Sequence, residues 1–321
     1  MDMHSTRSSA EGTGVSSGIR PGSLGGAVKF NLHLLEHCNY RCAHCFAKFQ
    51  CRRSLRLDSW KRIVDNCSRA FPGCSFNLAG GEPLMVRFFH DLVCYCRDLG
   101  HRVSVISNGY LMTDQWIREN VPLLDTVGLS LDSFDPDTMR RLGRCTASGG
   151  LLTRERIRRI MSLIRGVNPS CRIKVNTVVS SLNKDEILGG EISSLPVSRW
   201  KILKMMRFDN GDFSNCHLGI SLEEYAAFVR RNVGGAEIRS DSTVMRQLEG
   251  GCHAVIETTL RGGYLMIDAN GCLVDDTVNT SYVPAADCLR EDVRRGLERL
   301  GFDRELYLSR YSDMSTAEVA V

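Results

Sequence analysis

Between residues 28 and 204 the chain alternates short β-patterned runs with amphipathic helical runs six times, and this rhythm limits the fold more than any other feature. Strand-like runs fall at 28–35, 75–78, 102–106, 126–131, 172–179 and 199–204. Between them, apolar residues recur at helical spacing. Trp60, Ile63, Val64 and Cys67 form one stripe behind Asp58, a helix cap. Phe89, Leu92, Val93 and Cys96 form the next, closed by Gly100. Thr113 caps a helix through Trp116 and Ile117, Asp135-Pro136 opens another, and further helices are expected at 153–166 and 185–192. Such alternation implies parallel strands joined by right-handed crossovers. The expected architecture is therefore α/β: a barrel or partial (βα)6 barrel over 28–210, followed by an α+β extension over 211–321 that packs on it. In the extension, Ser221 and Glu224 form a capping box, Asn270-Gly271 turns a β-hairpin between 264–267 and 273–274, and a helix covers 293–300. Residues 1–27 are rich in Ser and Gly and read as a disordered tail.

In folds of this kind functional groups gather at the carboxyl ends of the strands. Every unusual segment falls there: Cys38 to Cys45 after the first strand, Gly80-Gly81-Glu82-Pro83 after the second, Ser107-Asn108-Gly109 after the third and Asp132-Ser133 after the fourth. Cys38, Cys42 and Cys45 stand at C-x3-C-x2-C, with Phe46 immediately after. Structural zinc sites supply four ligands in two halves. Three cysteines in one loop suit an iron–sulfur cube with its fourth corner open to a small molecule. A zinc knuckle completed by His37 or His44, or a coincidence of spacing, stays open on these residues alone. The two glycines let a backbone approach a ligand and Glu82 can accept from an ammonium group, although a plain turn has the same composition.

The chain has fourteen cysteines, a net charge of +4, no signal-peptide pattern and no long apolar run. A soluble cytoplasmic protein without disulfides is expected, with no membrane anchor and no direct nucleic-acid binding. Cys67, Cys94, Cys96 and Cys171 lie among apolar neighbours and read as core, whereas Cys216, Cys252, Cys272 and Cys288 are too widely spaced to look like a second cluster but stay open as auxiliary ligands.

The fifth and sixth strands are the most informative after the cysteines. Side chains alternate along a strand. Ile173 and Val175 then face one way, and Lys174 and Asn176 the other. Trp200 and Ile202 oppose Arg199 and Lys201 in the same manner. With the apolar faces against helices, Lys174, Arg199 and Lys201 converge inside the barrel. Buried cations are costly without compensation, and neither strand carries an acid. An anionic ligand, best a polyphosphate, would compensate them. Solvent at the rim, or an acid such as Glu82 or Asp132, would serve as well.

The cysteine triplet and Gly80-Gly81-Glu82-Pro83 together resemble the radical S-adenosylmethionine (SAM) enzymes. Over residues 30–307 the chain resembles their viperin-like branch more closely, through Asn31-x-His33, Asp132-Ser133-Phe134-Asp135, Gly143-Arg144, Lys174-x-Asn176, Arg199-Trp200-Lys201 and Gly301-Phe302-Asp303. The resemblance implies a partial barrel of the radical SAM type and two cofactors, a [4Fe–4S] cluster on Cys38, Cys42 and Cys45, and SAM held by Gly80, Gly81, Glu82, Ser107, Asn108, Ser130 and Arg144. It further implies a nucleoside triphosphate substrate (CTP, UTP or GTP) held by Asn31, His33, Asn77, Lys174, Asn176, Arg199 and Lys201. Tyr264 would lie near that substrate as a donor of a proton or hydrogen atom. The implied reaction removes the ribose 4′ hydrogen and the 3′ hydroxyl. It uses an external one-electron donor and yields a 3′-deoxy-3′,4′-didehydro nucleotide that terminates viral RNA chains. Three departures stand out. The Ser/Gly tail replaces an amphipathic membrane helix, the chain ends Ala317-Glu318-Val319-Ala320-Val321 where a tryptophan-containing tail is expected, and Ser75 stands where a lysine is expected. Other radical SAM chemistry (peptide maturation or nucleotide cyclisation) and a non-catalytic zinc module are the alternatives.

Overall fold

The computed structural model describes residues 28–45, 54–209, 211, 213–235, 237–240, 242–259, 262–275, 283–300 and 307. The expectations for the tail, for Phe46, for 301–303 and for 317–321 lie outside them.

Eleven strands form one sheet in the order β11-β10-β9-β1-β2-β3-β4-β5-β6-β8-β7. They are β1 (Lys29–His33), β2 (Ser75–Ala79), β3 (Val103–Ser107), β4 (Thr126–Ser130), β5 (Arg172–Val179), β6 (Arg199–Lys204), β7 (Thr243–Gln247), β8 (His253–Glu257), β9 (Leu265–Ile267), β10 (Cys272–Asp275) and β11 (Val283–Asp287). The helices are α1 (Leu57–Ala70), α2 (Phe89–Asp98), α3 (Asp114–Asn120), α4 (Pro136–Arg141), α5 (Arg154–Val167), α6 (Gly189–Ser193), α7 (Leu222–Val233) and α8 (Val293–Glu298). From β1 to β6 each strand pairs parallel with the next in sequence. This is the expected βα progression. Residues beyond 210 do more than lie against it, because β8 adds parallel to β6 and β9 adds parallel to β1. The same sheet is thus extended at both edges, with the β9–β10 hairpin antiparallel as expected.

The outward strand faces and the helix stripes make one apolar core. Phe30 and Leu32 of β1, Ile173 and Val175 of β5, and Trp200 and Ile202 of β6 are all buried in it. On α1 the stripe Trp60, Ile63, Val64 and Cys67 is fully buried. Each such large side chain contributes about 1.5–3 kcal/mol, so a charge at Ile63 would undo the docking of α1.

Thr113, Asp135 and Thr153 accept the cap hydrogen bonds of α3, α4 and α5, and Ser221 and Glu224 form the full capping box of α7. Three local expectations change. The N-cap of α1 is Arg56 with no side-chain bond, and Asp58 sits in the first turn, where its charge favours the positive end of the helix dipole. The helix expected at 185–192 is only Gly189–Ser193. Upstream, Asn183 donates to Asp132 O and Val178 O and accepts from Ser180 N, bonds that compete with helix. Cys94 is half-buried beside His90 rather than core, while Cys67, Cys96 and Cys171 are buried. Among the described residues no helix is long and apolar enough to cross a membrane.

Candidate active site

The cysteine loop is clamped from two sides. On one side the β1–β2 ladder runs past both strands: Leu34 N donates to Ala79 O (3.0 Å), Gly81 N to Leu35 O (2.7 Å) and Glu82 N to His37 O (3.0 Å). A Cβ on Gly80 would lie 2.4 Å from Leu35 O, and one on Gly81 would lie 2.1 Å from His37 O. The close approach that these glycines permit on their Cβ side is to the stem of the cysteine loop. On the other side, Arg41 N donates to Gly143 O (3.1 Å) and Ala43 N to Leu142 O (2.9 Å). Gly143 has φ +70°. It ends α4 in a Schellman turn, with Gly143 N on Arg140 O and Arg144 N on Met139 O. The turn delivers Arg144 to the loop.

Cys38, Cys42 and Cys45 are reduced thiols outside any disulfide and line one cavity. Tyr40 N and Asn108 Nδ2 lie 3.4 and 3.7 Å from Cys38 Sγ. Burial pushes the Cys38 thiol up to about 11, and these two donors oppose that shift. The buried Arg144 guanidinium is close enough to Cys42 and Cys45 to interact with both, and it pairs with the fully buried Asp132. Asp132 also accepts from Val178 N (2.7 Å) and sits 3.4 Å from His44 Nε2. His44 is thus turned to a carboxylate and His37 is exposed. Among the described residues no three His, Cys, Asp or Glu side chains converge on one metal-ion position. The three sulfurs of one loop suit a body with several corners better than a single ion.

Gly80, Gly81, Ser107, Asn108, Ser130 and Arg144 line the same cavity, but Glu82 is not among the lining side chains. Its Oε1 accepts from Ser107 Oγ (2.8 Å) and Leu84 N (3.1 Å), and its Oε2 from Asn108 N (2.8 Å). Burial raises this carboxyl to about 7 despite those donors. Glu82 ties the end of β2 to the end of β3 and so sets Ser107 and Asn108 in place.

Deeper in the cavity lie the cations. Lys174 pairs in register with Arg199, and Asn176 with Lys201; all four line the cavity. The Lys174 ammonium is held well below the usual lysine value, first by burial and then by Lys201 and Arg199. Asn176 Oδ1 is buried with no partner among the described residues. Asn77 Nδ2 donates to Asn31 Oδ1 (2.8 Å), Ser104 Oγ to Asn77 Oδ1 (3.0 Å) and Asn31 Nδ2 to Leu265 O (3.2 Å), a polar belt across β1, β2 and β3. His33 is buried and lowered to about 4 by that burial, hence neutral. Every sequence-predicted site residue except Glu82 thus borders one space.

A radical SAM superfamily profile matches residues 33–187. An S-adenosylmethionine-dependent nucleotide dehydratase from Selenomonas ruminantium is 37% identical over 288 residues, 89% of this chain and 99% of that protein. The chain belongs to the nucleotide dehydratase family of radical SAM enzymes. A second protein of that name, from Psychrobacter lutiphocae, is 29% identical over 89% of this chain and 95% of its own length. The radical SAM enzyme anSMEcpe, solved with bound AdoMet and a peptide, superposes with TM-score 0.61 at 15% identity over 88% of this chain and 83% of its own, a likeness of fold.

As a radical SAM enzyme the protein takes a [4Fe–4S] cluster and SAM. The residues present fit both: three reduced thiols on one clamped loop, donors aimed at a sulfur, a guanidinium beside two of them, and an adjoining polar wall. Within this nucleotide dehydratase the sequence left three residues unmarked, one behind the cavity wall and two in it. Glu257, fully buried at the end of β8, pairs with Lys201 and accepts from Tyr264 OH (2.7 Å), while Lys201 Nζ donates to Tyr264 OH (2.5 Å). Lys29 and Arg172 also line the cavity. Period-two spacing, two residues before Asn31 and two before Lys174, was the signal that could have found them. Ser75 is the register partner of Lys29. The buried thiols of Cys67, Cys74, Cys96 and Cys288 form no metal site among the described residues.

Proposed function

We propose that this protein dehydrates a ribonucleoside triphosphate (CTP, UTP or GTP) to its 3′-deoxy-3′,4′-didehydro form. The observation that carries the proposal is the single cavity with three thiols at the carboxyl ends of the strands and Lys174, Arg199 and Lys201 deeper within. When bound, the cluster and SAM supply one electron and a 5′-deoxyadenosyl radical able to take the ribose 4′ hydrogen. The chain's own residues orient the nucleotide. The cations hold its phosphates, and Asn176 Oδ1, which has no partner among the described residues, accepts from the sugar. Loss of the 3′ hydroxyl requires a proton to make water, and one further electron from an external donor closes the C3′–C4′ double bond. Tyr264, whose hydrogen bonds to Glu257 and Lys201 support the reading, passes that proton. The product has no 3′ hydroxyl and cannot be extended by a polymerase, which fits an antiviral role. We infer a cytoplasmic setting, where triphosphates and reduced thiols coexist.

The test is an anaerobic reaction of the reconstituted full chain with reductant, SAM and all four ribonucleoside triphosphates in competition. Mass spectrometry should detect a nucleotide lighter by one water. No such product from any of the four rejects the proposal, and 5′-deoxyadenosine without it would indicate another radical SAM reaction.

A further inference from the structure

One carboxylate lies behind the cysteine loop and draws three other segments to itself. Asp132, just after β4, is fully buried. Its Oδ1 accepts from Val178 N of β5 (2.7 Å), and its Oδ2 accepts from Arg144 Nε. His44 Nε2, one residue before Cys45, stands 3.4 Å from the same Oδ2. The Asp132 carbonyl accepts from Asn183 Nδ2 (3.0 Å). Asp132 is not among the residues that line the cavity, whereas Arg144 is. A ligand in the cavity therefore meets the guanidinium and not the carboxylate behind it.

Arg144 is 6% exposed, and the Gly143 turn sets it against the loop: a Cβ on Gly143 would come within 3.2 Å of Cys42 Cα. Burial works against the guanidinium charge, but Asp132, Cys42 and Cys45 outweigh it and hold that charge in place. The cation beside the thiols is thus backed directly by an anion.

Charges this close bear on electron uptake. Each electron added makes a cluster more negative, so a neighbouring cation eases reduction and a neighbouring anion resists it. Away from water such charges are weakly screened, and burial and hydrogen bonding are among the means by which a protein tunes a cluster's potential. Cleaving the SAM sulfonium demands a strongly reducing electron, and an unbacked guanidinium at the thiols would weaken it.

We propose that Asp132 is a positioning residue that keeps the reduction potential of the cluster low by neutralising the Arg144 guanidinium beside Cys42 and Cys45. Partners of metal ligands tune a metal in this way without touching it. The inference needs the cluster and does not depend on the nucleotide reading above.

The experiment is a redox titration of the anaerobically reconstituted full chain without SAM or nucleotide. Electron paramagnetic resonance follows the reduced cluster, and iron content is measured alongside. Asp132→Asn keeps the side chain's shape and removes its charge. Its midpoint potential should rise by the equivalent of roughly tenfold in the one-electron equilibrium, about 59 mV. Arg144→Gln should lower the midpoint by a similar amount, and the two substitutions together should bring it back near the wild-type value. A carboxylate that only braces the loop would lower iron content and leave the potential of the clusters formed unchanged. Unchanged midpoints, or shifts of the same sign in both single variants, overturn the inference. Where Asp132→Asn takes up no iron, the sign for Arg144→Gln decides alone. Loss of iron from both single variants gives the pair a role in assembly only and overturns the inference as well.

Discussion

Gly143→Ala perturbs the cysteine loop without touching a thiol. The new methyl would sit 2.3 Å from Arg41 O and 3.2 Å from Cys42 Cα, on a residue with φ +70°. Holding an alanine in that left-handed conformation costs about 1–2 kcal/mol. Relieving the clash pushes the loop away and breaks the Arg41–Gly143 and Ala43–Leu142 bonds, each contributing about 0.5–1.5 kcal/mol. The total, about 2–5 kcal/mol, falls within a typical folding stability of about 5–15 kcal/mol. The fold should therefore survive while the loop moves. Anaerobic reconstitution followed by iron analysis and visible absorbance reads the loop, and far-UV circular dichroism reads the fold. Sharply reduced iron with native dichroism is expected. Wild-type iron loading would refute the clamp, and so would global unfolding.

Other perturbations separate the two halves of the site. Cys42→Ala should abolish the cluster and all 5′-deoxyadenosine formation, which iron analysis and chromatography check. Lys201→Ala should weaken triphosphate binding and leave SAM cleavage uncoupled from nucleotide turnover; loss of the cluster instead would misplace that strand face. Glu257→Gln removes the charge that faces Lys201 and Tyr264. It should lower kcat for the nucleotide more than it changes KM, with 5′-deoxyadenosine still formed. Lys174 gives a pH signature. Its pKa in the free protein is depressed, and a bound polyphosphate raises it. Between those two values binding takes up a proton and affinity falls as pH rises. Calorimetry in buffers of different ionisation enthalpy should show that uptake, and Lys174→Met should lack it.

The parallel strands were legible because two-residue alternation and cap residues are local signals. The bounds of β5 and β6 match the sequence expectation, and Thr113, Asp135, Thr153 and Ser221 all cap. The convergence of Lys174, Asn176, Arg199 and Lys201 followed from the same alternation. What stayed hidden depends on contacts distant in sequence. The choice of β6 and β1 as docking edges for β8 and β9 is a tertiary matter. So is Glu257: it closes an apolar strand and meets Lys201 only because β8 adds beside β6. The packing of Gly80 and Gly81 against the backbone of residues 35–37 is hidden for a similar reason.

The most direct test of the account is isotopic. A ribonucleoside triphosphate deuterated at C4′ is turned over by the reconstituted protein, and the 5′-deoxyadenosine formed is weighed by mass spectrometry. A ribose held between the thiols and the cations predicts 5′-deoxyadenosine heavier by one deuterium, in step with didehydro product. Unlabelled 5′-deoxyadenosine in the presence of the labelled nucleotide would contradict it.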